Sequence, residues 1–187
     1  MINQSKPKKG SLLLSEPFML DPNFKRSVVL LTEHTNEGSV GYVLNHKSNM
    51  LLKDLLPECD NADNIVFIGG PVANNTLHFI HRCYNRMNSG SEIGDGIYWG
   101  GNFETLKILL KNNDIRPDEV KFFVGYSGWG SEQLKSEMAE NSWLVTNKYN
   151  AGLTFVENED NLWKEVIIGL GPKYAHIANF PENPLWN

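Results

Sequence analysis

Short hydrophobic runs separated by turn residues fill the first half of the chain. Each run is Leu-rich or β-branched and short enough to be a buried strand. Five strands are predicted, at residues 12–14, 28–32, 40–44, 65–68 and 77–81. Asn36, Glu37 and Gly38 lie between the second and third runs and predict a hairpin turn, because glycine accepts the positive φ that such turns need.

The second half of the chain is richer in helix patterns. A short helix is expected earlier, at 51–56, where Pro57 ends it. Asn102, Ser131 and Asp160 are predicted to cap three longer helices, with a strand at 120–124 between the first two and Gly171-Pro172 closing the last. Strands outnumber helices and do not alternate strictly with them. We therefore predict an α+β domain and not a doubly wound sheet.

The segment GYSGWG, residues 125–130, is the most informative local motif. It follows the predicted strand at 120–124 and precedes a predicted helix, so we expect a strand-to-helix corner there. Glycine permits unusual φ angles and close approach of backbone segments. We therefore predict that the glycines of this corner serve the backbone conformation. Their small size is expected to let the side chain of Trp129 fold over the start of the helix.

Length and composition indicate one domain. The chain has 187 residues, 41% hydrophobic and 21% charged, and we assign residues 1–9 to a flexible polar head and 10–187 to a single domain. No apolar run is long enough for a secretory signal or a membrane span, so a cytoplasmic protein is expected. The net charge of -5 argues against nucleic-acid binding, which depends on clustered Lys and Arg.

The two cysteines, Cys59 and Cys83, are too few for a disulfide scaffold. His81 lies two residues before Cys83, so the two side chains share a face of an extended segment and can meet. A reactive Cys83 is one interpretation, and a small buried hydrophobe is the other and the favoured one.

Several separated motifs occur in one order along the chain. They begin with residues 10–13, Pro17, Leu20-Asp21, Phe24, 26–30, His34, Gly38, Gly41 and Leu44-Asn45. They continue with Gly69-Gly70-Pro71-Val72, 77–81, 125–129, Gln133-Leu134, Glu137, Asn141 and Trp143. This pattern spans about residues 10–180 and resembles the YqgE/AlgH family of bacterial proteins.

The resemblance implies a cytosolic bacterial protein with a branched, mixed or antiparallel β-sheet that curls into a partial barrel, flanked by three or four helices. It implies no reaction, because proteins of this family are mostly uncharacterised. A label of transcriptional regulator attaches to some of them.

The candidate binding residues surround a predicted groove between the 125–130 corner, the turn at 69–72 and a rim carrying Arg26 and His34. The full set is Arg26, His34, Asn45, Gly69, Gly70, His81, Gly125, Ser127, Gly128, Trp129 and Gln133. Arg26 has two interpretations, an anchor for its loop or a grip on an anionic ligand near Gly69 and Gly70. No catalytic set, metal site or cofactor motif is evident, and we predict none.

The predicted function is therefore a non-enzymatic binding or regulatory module for a small anionic ligand or a protein partner, of unknown oligomeric state. The alternative is a small hydrolase or transferase at the same groove, with His34 or His81 as base. Ser127 is a poor nucleophile candidate because the spacing departs from G-x-S-x-G. A DNA-binding regulator is the third hypothesis. The aromatic tail, residues 174–186, either packs along the domain or docks a partner.

Overall fold

The long strand near residue 125 organises the sheet. In the computed structural model, which describes residues 5–148, 151–155 and 159–181, this strand runs from Val120 to Gly130. The strands are β1 Leu12–Ser15, β2 Val28–Thr35, β3 Gly38–Val43, β4 Lys47–Leu51, β5 Ile65–Ile68, β6 Val72–His81, β7 Ser91–Gly94, β8 Ile97–Trp99, β9 Val120–Gly130 and β10 Trp143–Thr146.

The α-helices of the described residues are mostly short. They are α1 Leu52–Leu55, α2 Tyr84–Met87, α3 Phe103–Lys111, α4 Gln133–Ala139, α5 Ala151–Thr154, α6 Leu162–Gly169 and α7 Pro172–Ala175. Only α3, α4 and α6 exceed four residues, and they correspond to the three longer helices expected from the sequence. Asn102 caps α3 as predicted, because its Oδ1 accepts a hydrogen bond from the backbone N–H of Thr105 at 2.9 Å.

The sheet branches at β9. The main path is β10-β1-β2-β3-β9-β6-β8-β7, and β5 also pairs with β9 and carries β4 on its other edge. The pairing of β5 with β9 is parallel and the other pairings are antiparallel. The path does not close on itself. The predicted α+β class, with a branched mixed sheet curled as an open barrel and flanked by helices, is confirmed.

Three apolar clusters cover the faces of this sheet. The first packs α6 against β1, β2 and β3 and contains Trp163 and Leu30. The second lies beneath α1, α2 and α3 and contains Leu106 and Phe122. The third lies on the opposite face of β1, β2 and β3 from the first, where the side chains at alternate positions meet α4.

The chain ends and the helix caps differ in part from expectation. Ser131 does not cap α4, and Asp160 does not cap α6, whose N-cap is Asn161 after a 3-10 turn at Glu159–Asn161.

Lys6 belongs to the predicted flexible head, and its carbonyl accepts a hydrogen bond from Asn147. Residues 182–186 of the aromatic tail lie outside the described residues. None of the described helices is long and apolar enough to cross a membrane.

Candidate functional site

Two glycine segments that are far apart in sequence pack against each other. A Cβ on Gly69 would lie 2.5 Å from the carbonyl oxygen of Gly125, and one on Gly125 would lie 2.6 Å from the carbonyl oxygen of Gly70. Contacts this short have no room for a side chain. The turn at residues 69–72 and the 125–130 segment are therefore neighbours because both consist largely of glycine at the contact.

The predicted corner at residues 125–130 is wrong. These residues continue β9 as a strand, with Gly125 at φ +67 and residues 127–130 paired to β3. The positive φ lets the strand change partners from β5 to β3 without ending. The helix begins only at Gln133, and Gln133 Oε1 accepts the backbone N–H of Gly130 at 3.1 Å. This backbone donor is therefore already used within the fold.

Trp129 belongs to a buried aromatic cluster held by one carboxylate. Its side chain is only 5% exposed, and Phe24 and Trp143 pack against its ring. Glu137 Oε2 accepts hydrogen bonds from the indole N–H of Trp129 at 2.9 Å and from that of Trp143 at 2.7 Å. Its other oxygen accepts from Gln133 at 2.9 Å. Trp129 therefore anchors the fold, and Glu137 was not among the predicted site residues.

Ser127 is likewise committed to the structure. It is fully buried, and its hydroxyl donates a hydrogen bond to the carbonyl oxygen of Gly69 at 2.9 Å. This bond ties the 69–72 turn to the second half of β9. A nucleophilic hydroxyl needs a base within hydrogen-bond reach and access for a substrate, and burial denies the access.

Arg26 and Asn45 stabilise the loop before β2. The guanidinium of Arg26 stacks over Trp163, with Cζ 4.9 Å from the ring centroid, and donates to the carbonyl of Phe180. Asn45 donates to the carbonyl of Arg26 at 2.9 Å and accepts the N–H of Val28 at 2.9 Å. Arg26 thus interacts with α6 and with the segment after it. Two surface depressions adjoin Trp129, and Arg26 lines neither of them.

No histidine or cysteine of the described residues lines the two depressions beside Trp129. His34 Nδ1 is 2.7 Å from the hydroxyl of Ser39, and His81 is fully buried with Nε2 bonded to the carbonyl of Gly100. His81 and Cys83 do meet, with Nδ1 and Sγ 3.6 Å apart. Burial raises the pKa of the Cys83 thiol, which opposes a nucleophilic thiolate. Within the described residues no cluster of His, Cys, Asp and Glu could hold a metal ion.

Two open hollows adjoin the GYSGWG segment, and Gly128 and Trp129 line both. The hairpin hollow, about 440 Å³, lies beside the β2–β3 hairpin and includes Glu33, Glu37, Ser39 and Tyr126. The indole hollow, about 370 Å³, lies beside α4 and includes Asp21, Phe24, Pro71 and Glu137. Two adjoining depressions therefore lie on either side of exposed Gly128, and neither is lined by Arg26, His34, Gly69 or Gly70.

Both hollows carry acidic side chains. Glu33 and Glu37 are exposed in the hairpin hollow, and Asp21 is exposed in the indole hollow. Among the residues that the structure describes, no Lys, Arg or His lines either of them. This electrostatic character repels a small anion, which was one of the two ligand classes expected from the sequence.

A third depression, the lysine pocket, lies at the other half of β9. It has a volume of about 340 Å³ and is lined by Lys47, Ile65, Phe67, Lys121, Phe155 and Glu159, among others. The side chain of Lys121 is only 4% exposed. The sequence interpretation missed this residue. The sequence feature that could have identified it is a lysine at the second position of the run VKFFV, in a strand that is otherwise apolar from Val120 to Val124.

Comparisons with known proteins identify the family. A family model described as AlgH-like matches residues 12–175. A UPF0301 protein of Cytophaga hutchinsonii is 38% identical over 180 residues, covering 96% of this chain and 98% of that protein. A UPF0301 protein of Bacteroides thetaiotaomicron is 38% identical over 186 residues, covering 99% and 94%. The chain therefore belongs to the AlgH-like family, as the resemblance indicated.

Solved structures show the same fold. The crystal structure of a Corynebacterium diphtheriae protein superposes with a TM-score of 0.79 at 18% identity, covering 96% of this chain and 95% of that one. The solution structure of the AlgH protein from Pseudomonas aeruginosa superposes with a TM-score of 0.73 at 24% identity, covering 96% and 98%. At these identities the likeness is one of fold alone.

Proposed function

We propose that this protein is a binding module whose hairpin and indole hollows receive a basic segment of a protein partner. One observation carries the proposal: two adjoining hollows share Gly128 and Trp129, and every charged side chain that lines them in the described residues is acidic. Complementary charge attracts a partner and fixes its orientation.

The shape of the site supports a peptide-like segment. Gly128 is exposed between the two depressions and has no side chain of its own, so a chain crossing it meets backbone and the neighbouring ring of Tyr126. The half-buried rings of Tyr126 in the hairpin hollow and Phe24 in the indole hollow supply apolar contact area on either side. Aromatic surface beside carboxylates suits lysine and arginine side chains, because these have an apolar stem and a cationic head.

The structure of the rest of the site supports binding over hydrolysis. Ser127 is bonded to Gly69, His81 is buried, and His34 lines neither hollow. The hydrolase or transferase alternative retains one observation, the 2.7 Å contact of His34 Nδ1 with the hydroxyl of Ser39, which lines the hairpin hollow. Ser39 is only 5% exposed, which leaves a substrate little access to that hydroxyl. The regulator hypothesis stays a prediction, since binding a basic protein segment is compatible with it and DNA is disfavoured by the acidic lining.

The test uses NMR with a defined probe, a short peptide of alternating lysine and leucine. We expect it to shift the amide signals of Gly128, Ser39 and the indole N–H of Trp129 at low salt, with binding weakened as salt is added. The double variant Glu33→Lys, Glu37→Lys should weaken binding about tenfold, because two attractive charges become repulsive.

The matched control is Glu140→Lys, because Glu140 is exposed on the end of α4 and lines neither hollow. It makes one of the same charge changes elsewhere on the surface and should bind the peptide as the unsubstituted chain does. Equal binding by all three proteins, or signals that shift away from Gly128, would disprove the proposal. A peptide of alternating glutamate and leucine should produce no shifts at these residues.

A further inference from the structure

The amine of Lys121 is held in an apolar setting with a carboxylate beside it. Its Nζ is 3.9 Å from the centroid of the Phe67 ring, donates to the carbonyl of Thr154 at 3.1 Å and lies 3.4 Å from Glu159 Oε1. The backbone of β9 fixes the stem of this side chain, because Lys121 pairs with Ile80 on β6. The position of Nζ is therefore set by the sheet.

A second lysine approaches the same carboxylate. Lys47 is on β4, which is separated from β9 by β5, and its Nζ is 2.9 Å from the other oxygen of Glu159. Its side chain is 34% exposed, so it keeps access to water while Lys121 does not. One carboxylate thus lies between two amines, and it neutralises only one of them. Of the two amines, the buried amine of Lys121 is the one for which loss of the proton lowers the free energy of the fold.

Burial lowers the pKa of Lys121 from 10.5 to about 8, with the carboxylate of Glu159 opposing the shift and the charge of Lys47 adding to it. At pH 8 about half of the Lys121 amines carry a lone pair, whereas an amine with pKa near 10.5 is neutral in less than about 1% of molecules. A neutral amine is the nucleophilic form of lysine.

We propose that the lysine pocket captures a small aldehyde or ketone with an apolar body, as an imine on Nζ of Lys121. Phe67, Phe155 and Ile65 supply the apolar walls, and a volume of about 340 Å³ is at the small end for a ligand site. This site is separate from the two hollows, and it does not depend on the function proposed for them.

The chemistry needs no oxidant and no metal. The lone pair of Nζ attacks the carbonyl carbon, and the C–O π electrons pass to oxygen to give a carbinolamine after proton transfer from nitrogen. Loss of that oxygen as water forms the C=N bond, so amine and carbonyl give imine and water. Glu159 is placed 3.4 Å from the nitrogen to accept and return the proton.

The test is trapping on the intact, unsubstituted chain. Benzaldehyde with sodium cyanoborohydride converts an imine to a stable benzylamine, which peptide mapping by mass spectrometry locates. We expect the adduct at Lys121 to exceed that at exposed Lys148 by about tenfold or more at pH 8, because the lowered pKa of Lys121 leaves about half of its amine neutral. In chain unfolded by urea the enrichment should disappear.

The pH profile separates this site from ordinary surface labelling. Trapping at Lys121 should rise with a midpoint near pH 8, and the charged groups lining the pocket with it are Lys47, Glu159, Asp63 and Asp118. Lys121→Met should remove the enriched adduct, and Lys148→Met should leave it in place. If Lys121 serves only as a buried ion pair, its adduct will be rarer than that at Lys148, and this result would overturn the proposal.

Discussion

The two halves of β9 lie in different environments. Residues 120–124 pair with β6 on one edge, residues 122–124 pair with β5 on the other, and this half carries buried Lys121. Residues 127–130 pair with β3 and leave Gly128 and Gly130 exposed beside the two hollows. Gly125 joins the halves with φ +67.

The difference shows how one strand can carry two kinds of site. In the first half the polar group is a charged amine, so its burial alters its protonation. In the second half the buried polar groups are the hydroxyl of Ser127 and the indole N–H of Trp129, which keep one protonation state and donate to Gly69 and Glu137. The first half is therefore suited to proton-dependent chemistry and the second to holding a fixed surface.

Replacing the joining residue should have the largest effect on this arrangement. In Gly125→Ala the new Cβ would lie 2.6 Å from the carbonyl oxygen of Gly70 and 2.9 Å from that of Val72, at a φ that alanine disfavours. We expect a loss of about 4 kcal/mol or more in the free energy of unfolding, a large part of what domains typically possess. Urea denaturation measures it.

The control for this substitution is Gly130→Ala, five residues further along β9. A Cβ at Gly130 meets nothing within 4 Å. The change should therefore stay within about 1 kcal/mol. Similar losses for the two variants would show that Gly125 has no special part in joining the two halves.

The second effect concerns the first half alone and depends on pH. Lys121 has a lower pKa folded than unfolded, so between about pH 8 and 10.5 the unfolded chain binds more protons and stability rises with pH. This contribution amounts to about 3 kcal/mol across the window. Below pH 8 it is a constant penalty for holding the ammonium in the fold.

The measurement compares urea denaturation of the unsubstituted chain, Lys121→Met and Lys148→Met from pH 7 to 10.5. The free energy of unfolding of Lys148→Met should rise between pH 8 and 10.5. That of Lys121→Met should lack this rise, since methionine has no proton to lose. Parallel pH profiles for these two variants would mean that the pKa of Lys121 is not lowered. The first half of β9 would then not differ from the second in carrying a group whose protonation is altered by burial.

The smallest of the three effects tests the second half. Glu137→Ala removes the acceptor of two indole N–H groups, and we expect a loss of about 2 kcal/mol, because water can reach part of this site but leaves the indoles imperfectly bonded. Unfolding followed by tryptophan fluorescence measures it. Glu140→Ala, which loses only a 3.4 Å bond from Ser136, should change stability little. Equal effects would contradict the anchoring role of Glu137.

Hydrophobic pattern and turn residues sufficed for much of the fold. The six predicted strands and three longer helices are present, because each has its own periodicity or buried run. Four strands were missed: β4, β7, β8 and β10. The sequences of β4 and β7, KSNML and SEIG, contain polar or glycine residues, and neighbouring strands determine their conformation more than local propensity does. The sequences of β8 and β10, IYW and WLVT, are short aromatic or apolar runs of high strand propensity that were not assigned.

The candidate site was predictable only in part. The neighbourhood of residues 69–72 and 125–130 was anticipated, since glycines mark close backbone approach. The roles of Trp129 and Arg26 were not, because burial and partners come from distant residues such as Glu137 and Trp163. Lys121 could have been noticed as a charge inside an apolar strand, but its carboxylate partner is 38 residues away.

The branching of the sheet at β9 has a consequence for synthesis on the ribosome. Strands β3, β5 and β6 all pair with β9, which comes later in the chain than any of them. A nascent chain that ends before residue 120 therefore carries three strand edges without their native neighbour, and exposed edges promote association with other chains. Translation through the VKFFVGYSGWG segment is the step that removes this hazard.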